Sequence, residues 1–409
     1  MNFNKRLKCN SCDQFIDCRI GMSNRDDQPI RFACPSCAEP IYIIVTGNLL
    51  EENLNFDIRS ATEVSFEGPF DNSYPFVDLH IDFPVAFGEY EQGKTPFLVT
   101  HARIGHEKFI YHNRRLNALN SLYKLSPELK RALRIYFSNQ KLFSKIIKKS
   151  FDVDVKSKKQ ADIYAALYEL IAKAFHPFTT PTLDEDCVNL YLATTIDLSE
   201  NKNKEFVGFI NDIDKYLDQL QKDCVRIYPR IFDLELPLRS ALYLDVDPTY
   251  DADTLPLRIS TGDFEKHKEI YKDISELLSR LLVLVAGVNN LIHRSDHNSF
   301  KTKISTLNDF ANVAFGQKTN HLDDCWYSAL DDSIDNQFRN AIAHYKTEYD
   351  ESTQIITYYT GKKGMDKGDE NQSMYLDFVR KVLISYREMH RLHHLVKNLL
   401  YYRVLILKK

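Results

Sequence analysis

Cys9-Asn10-Ser11-Cys12 and, after 21 intervening residues, Cys34-Pro35-Ser36-Cys37 are the stretches that organise the start of this chain. Each Cys-x-x-Cys is a short loop that can turn two thiolates toward one metal, and two such pairs at this separation read as a four-cysteine zinc site. Four thiolates fill a tetrahedron and leave no open position, so the zinc expected here is structural. Around the pairs the sequence alternates short strand-like stretches with a polar turn at Ser23–Gln28. It then runs into the β-branched Ile41-Tyr42-Ile43-Ile44-Val45. Residues 1–47 are therefore expected to form a zinc ribbon on Cys9, Cys12, Cys34 and Cys37. Cys18 lies between the pairs and reads as a small buried apolar residue, as do Cys187, Cys224 and Cys325.

Beyond the ribbon, residues 48–111 favour strands and loops. Phe76-Val77-Asp78-Leu79-His80-Ile81-Asp82-Phe83 alternates, and Pro69, Pro75, Pro84 and Pro96 punctuate it. A helical middle region is expected over 112–261, broken at His176–Leu183. A loop-rich passage follows through Pro229, Pro237, Pro248 and Pro256. The last block, 262–409, reads as a helical bundle. Its members are Phe264–Arg294, Leu307–Gly316, Asp323–His344 and Met374–Leu407, with a β-hairpin at Tyr349–Thr360. The fold class expected is thus mostly α, with an N-terminal β zinc ribbon and a β-rich segment.

The densest apolar run, Leu281–Val288, is far shorter than the roughly 20 residues that span a bilayer. The first residues lack the apolar stretch of a secretory signal. Eight cysteines in 409 residues, four of them paired for a metal, suit a reducing compartment, so a cytoplasmic protein without a membrane partner is expected. Net charge is −4, but Arg103–Lys159 holds fifteen Lys or Arg against four Asp or Glu. Such a segment could track phosphates, with Lys145, Lys148 and Lys149 as RNA-binding candidates, or could simply be the solvated faces of amphipathic helices.

Near the other end stands Arg339-Asn340-Ala341-Ile342-Ala343-His344. With helical period, Trp326, Leu330, Ile334, Phe338, Ala341 and Tyr345 form an apolar face. Asn336, Asn340 and His344 make a polar row beside it, and Arg339 projects from the far side with Asp335 one turn below. His344 falls in the last turn, where the helix dipole favours a charged imidazole by a few tenths to ~2 kcal/mol. Histidine moves protons and arginine grips phosphate oxygens with forked donors. RNA cleavage needs little more, because the ribose 2′-hydroxyl is an internal nucleophile. A solvated polar face or an Asp335–Arg339 pair would explain the same residues without function.

The block 262–409 resembles the HEPN superfamily, whose ribonucleases carry Arg-polar-x-x-x-His late in a helical bundle. Arg339, Asn340 and His344 match that motif, while nothing between Asn48 and Asp263 contributes to the resemblance. The resemblance implies a homodimer that cuts RNA without metal at a composite cleft and leaves a cyclic phosphate. It would serve as a toxin or abortive-infection effector in antiviral defence, with a protein or phage-derived trigger. Arg339 would stabilise the phosphorane, Asn340 would position phosphate or His344, and His344 would act as general acid or base. The rival expectation is a non-catalytic RNA- or protein-binding sensor or adaptor in which the bundle only dimerises. No phosphate-cradling Gly-rich loop is present. His293 and His297 lack a zincin glutamate, and His390, His393 and His394 read as a solvated basic face.

Overall fold

The structure, a computed structural model, describes residues 1–47, 54–322, 325–330, 333, 335–361 and 368–409. About 53% of the chain is helical, beside several small sheets. Two compact units emerge, one of Met1–Tyr123, Asp233–Lys268 and Asn340–Lys381, the other of Lys124–Phe232, Glu269–Arg339 and Val382–Lys409.

In the first unit the strands are β1 (Asn2–Cys9), β2 (Phe15–Gly21), β3 (Asp27–Ala33) and β4 (Pro40–Thr46), followed by β5 (Asn55–Arg59), β6 (Ala61–Val64) and β7 (Phe76–Leu79). One sheet has the order β6-β1-β2-β7, with β7 parallel to β2, and a second is β3-β4-β5. Pairing thus runs on past residue 47. Alternate residues, Ile16, Cys18 and Ile20 with Ile41, Ile43 and Val45, point inward and join Val77 and Leu79 in one apolar cluster. A short ladder, β8 (Val85–Ala86) with β9 (Leu257–Arg258), and a three-stranded sheet of β10 (Thr347–Asp350), β11 (Ile355–Thr360) and β12 (Asp369–Met374) complete the strands. The expected hairpin is β10–β11, and β12 is a third strand that its polar sequence concealed. The loop at 362–367 lies outside the described residues.

The same unit buries a charged knot. Arg239, with no exposed surface, donates to Glu235 at 2.6 Å, Asp82 at 2.5 Å and Asn120 at 2.7 Å, while Arg25 reaches Glu235 at 2.6 Å. Each carboxylate is paired, which is the condition under which buried charge is tolerated.

The prolines correct two expectations. Helix begins at Pro96, well ahead of the expected 112: Thr95 caps Pro96–Ile104 through its hydroxyl and Pro96 occupies the first turn, where no N–H is needed. Beyond the helix expected around Glu205–Ile227, the passage read as loop is helical to Asp233, within Asp214–Asp233, and again over Glu235–Tyr243. Pro237 sits third in the second of these, within the turn whose amides lack intrahelical partners. Pro229 lies inside the first, and apolar burial of Val225, Ile227, Tyr228, Ile231 and Phe232 outweighs the lost bond.

In the second unit the expected stripe Leu277, Leu278, Leu281, Leu282 and Val285 is buried. The helix that carries it, Phe264–Arg294, is long and apolar enough to cross a membrane by length and composition, yet 89% of its most apolar window is buried inside the protein. Leu307–Gly316 is two pieces, Leu307–Ala311 and Phe315–Lys318. The closing helix is Tyr375–Tyr401, continued by one π turn.

Candidate functional site

The two halves of the metal centre are built alike. In each hairpin the first cysteine accepts at its carbonyl from the residue after the second cysteine, Asp13 at 3.0 Å and Ala38 at 2.9 Å. Each also donates its N–H one residue further, Cys9 to Gln14 and Cys34 to Glu39, both at 2.9 Å. Asp13 and Ala38 have φ of 59° and 61°, the left-handed turn that closes the knuckle. Cys9 and Cys37 sulfurs are 3.8 Å apart, Cys12 and Cys34 sulfurs 3.7 Å, and all four lie within 4.8 Å of one another. A tetrahedron with metal–sulfur arms of about 2.3 Å has edges of about 3.8 Å, so the cluster is close enough and shaped to hold a metal ion. Burial disfavours the Cys9 thiolate, and the backbone N–H groups of Ser11 and Cys12 outweigh it and lower its pKa. Cys18 stays outside the set, buried in β2 opposite Val77 with its pKa driven up by burial.

The motif helix is shorter than its periodicity suggests. Only Asn336–Ala343 is helical, and residues 325–330 are not; positions 323, 324, 331, 332 and 334 lie outside the described residues. Asp335 ends the pattern by capping: its carboxylate accepts from the Phe338 N–H at 3.0 Å and its carbonyl from Arg339 at 3.1 Å. The Asp335 carboxylate is thus a cap, and Arg339 instead reaches Glu276 at 3.3 Å. Trp326 packs edge-on to Tyr191 and so belongs to no helical stripe with Phe338.

At its far end the helix closes on a Schellman turn. Tyr345, at φ 58°, donates to Ile342 at 3.3 Å, and Lys346 donates to Ala341 at 2.8 Å. His344 is the capping residue, with its N–H on Asn340 at 3.0 Å. Phe338, Ala341 and Ile342 are buried, Asn340 and His344 are exposed, and Tyr345 is 92% exposed. Five steps of about 100° set Arg339 and His344 roughly 140° apart around the helix. One copy of the helix therefore offers Asn340 and His344 together and Arg339 elsewhere.

Lys145, Lys148 and Lys149 stand exposed on Gln140–Phe151, opposite buried Phe143, Ile146, Ile147 and Phe151. Lys148 is held by Asp152 at 2.9 Å and Asp154 at 2.8 Å, leaving less of its charge to offer. Within the first unit Arg103 pairs with Asp247, and Arg115 with Asp245 at 2.8 Å. His297 bonds Asp212 at 2.8 Å.

The expectation of a solvated basic face at His390, His393 and His394 is overturned. His390 and His393 are buried and His394 is half-buried, and desolvation lowers the pKa of each, His390 to about 4 and the others well below the usual value. Sequence gave no sign of this, because a helix buried on every side loses its period. Gln221, which joins the same network through His393, carried no motif at all. Comparison with known protein families, with curated proteins and with solved structures found no match.

Proposed function

We propose that this protein is a metal-independent endoribonuclease of the HEPN type, acting as a homodimer with Arg339, Asn340 and His344 as its site. One observation carries the reading: an exposed Asn340–His344 row stands at a closed helix end, with Arg339 turned away around the same helix. The two groups cannot converge on one phosphate from a single copy, so a second copy across a two-fold axis is needed to bring its own arginine. His344 then takes the 2′-hydroxyl proton as the 2′ oxygen bonds to phosphorus, and the partner histidine protonates the departing 5′ oxygen. Arginine neutralises the phosphorane, and a cyclic phosphate remains. The resemblance supports the setting of a toxin or abortive-infection effector released by a protein or phage-derived trigger.

The metal in this reading is zinc, held by Cys9, Cys12, Cys34 and Cys37 as a structural ion that takes no part in the chemistry. The test is incubation with total RNA in EDTA at concentrations too low to strip the ribbon. Cleavage to cyclic-phosphate ends, lost in His344→Ala, is expected. Cleavage that persists in His344→Ala overturns the site. The Arg339–Glu276 contact favours a second reading, an RNA- or protein-binding adaptor whose arginine is already neutralised. On that reading RNA is bound and returned intact.

A further inference from the structure

The second unit holds a cavity of about 330 Å³, lined by Tyr136, Phe137, Tyr164, Gln221, Lys222 and Arg403 among others. No residue of the motif or of the metal centre belongs to it.

Its floor is set by a chain of buried hydrogen bonds. Gln221 Oε1 lies 2.7 Å from Tyr168 Oη and 2.8 Å from His393 Nε2. His393 Nδ1 lies 2.9 Å from Tyr228 Oη, which lies 2.8 Å from His390 Nδ1. Both imidazoles are neutral, so each carries one N–H. If His390 donates to Tyr228, Tyr228 donates to His393, and the His393 Nε2–H then points at Gln221. Tyr168 also donates to Gln221. With both donors on Oε1, the amide carbonyl faces the network and its NH2 faces the cavity.

That NH2 and the Tyr136 hydroxyl, each on a residue only 3% exposed, have no hydrogen-bond partner among the described residues. They lie near one another. Two buried donors left facing one space are unfavourable, and one acceptor atom between them would satisfy both. Phe137, 42% exposed, stands in the cavity wall. Lys222 is exposed at the mouth, and Arg403 is held in the wall by Asp214 and Asp218 at 2.8 and 2.7 Å.

We propose that this cavity binds a nucleotide whose base carries a ring carbonyl. The carbonyl oxygen accepts from Gln221 and Tyr136, the base lies against Phe137, and the phosphate reaches Lys222. Uracil, cytosine and guanine offer such an oxygen; adenine does not.

Isothermal titration of the full chain with UMP, CMP, GMP, AMP, uridine and inorganic phosphate tests it. UMP, CMP or GMP should bind at least tenfold more tightly than AMP or phosphate. Tyr136→Phe keeps the ring and removes the hydroxyl, and should weaken that binding about five- to tenfold. Lys222→Glu, at an exposed position, should weaken UMP and leave uridine unchanged. No heat from any nucleotide at millimolar concentration overturns the proposal. So does AMP matching UMP, phosphate matching both, or binding indifferent to both substitutions. A folded Tyr136→Phe protein, with unchanged far-ultraviolet circular dichroism, validates that comparison.

Discussion

The backbone N–H of Lys346 lies 2.8 Å from the carbonyl oxygen of Ala341, bridging the turn that contains His344 and Tyr345. This bond and its neighbour from Tyr345 hold a tyrosine in the left-handed region, where glycine is the usual choice. An L residue there costs roughly 1–2 kcal/mol, against the 0.5–1 kcal/mol that glycine loses by its freedom in the unfolded chain. Tyr345→Gly should therefore leave stability unchanged or raise it by up to about 1 kcal/mol, read by urea unfolding. RNA affinity should fall by the ~1–3 kcal/mol of a lost base stack. A variant that is more stable and binds RNA equally well would show that the exposed ring has no RNA to meet.

Arg339→Ala, Arg339→Lys and His344→Ala should each abolish cleavage while the melting temperature and dimer mass hold, since an ammonium lacks the guanidinium fork. Mixed dimers of wild-type and His344→Ala chains, purified with two affinity tags, should retain well under half of the activity. Half activity would mean two independent sites, one in each protomer.

Cys34→Ser should lower metal content from about one ion per chain, measured by mass spectrometry of the metal. It should also cost several kcal/mol of stability in the sheets that β1–β7 share. Cys18→Ala should keep the ion, because that thiol packs against β7 and the knuckles do not use it.

Replacing Lys145, Lys148 and Lys149 together with glutamate should weaken RNA binding and flatten its dependence on salt. Each phosphate contact contributes a slope of about 0.7–0.9, so three free lysines would remove three such steps. Lys148 is already held by Asp152 and Asp154, and the expected change is nearer two. An unchanged slope would mark the face as merely solvated.

Burial lowers the pKa of His80, His112, His267 and His390 to about 4, and holds His393 and His394 well below their usual value. Between pH 6.5 and about 4 the unfolded chain binds protons that the native chain refuses. Stability, complete above pH 6.5, is thus lost as pH falls through that window, by up to about 1.4 kcal/mol per pH unit for each histidine. Urea midpoints at pH 7.5 and 5.5 measure the loss. His112→Phe should reduce it and add about 1 kcal/mol, because His112 lies among Phe83 and Tyr243 with neither ring nitrogen hydrogen-bonded within the described residues.

Cysteine spacing made the four-cysteine cluster legible, because two short chelating loops have few other uses. Periodicity placed Phe264–Arg294 to the residue, since its first half alternates buried and exposed faces before residues 281–290 become buried throughout. It failed where local chemistry competed: Asp335 caps and so starts a helix inside a pattern that ran smoothly through it. Prolines misled at Pro96 and Pro237 because a helix's first turn tolerates what its interior does not. The basic-looking His390–His394 stretch shows the deepest limit. Whether a histidine is solvated or sealed among tyrosines depends on partners 162 to 225 positions away, and no local window contains them.

The paired knuckles also set an order of events during synthesis. Each hairpin supplies half of a coordination sphere, and the second half ends in the bond from Cys34 to Glu39. A nascent chain shorter than this can chelate only weakly, through Cys9 and Cys12. A metal held by all four sulfurs could be captured only once the ribosome has released both hairpins, so chains made without that metal should be open to proteolysis in this segment from the moment it emerges.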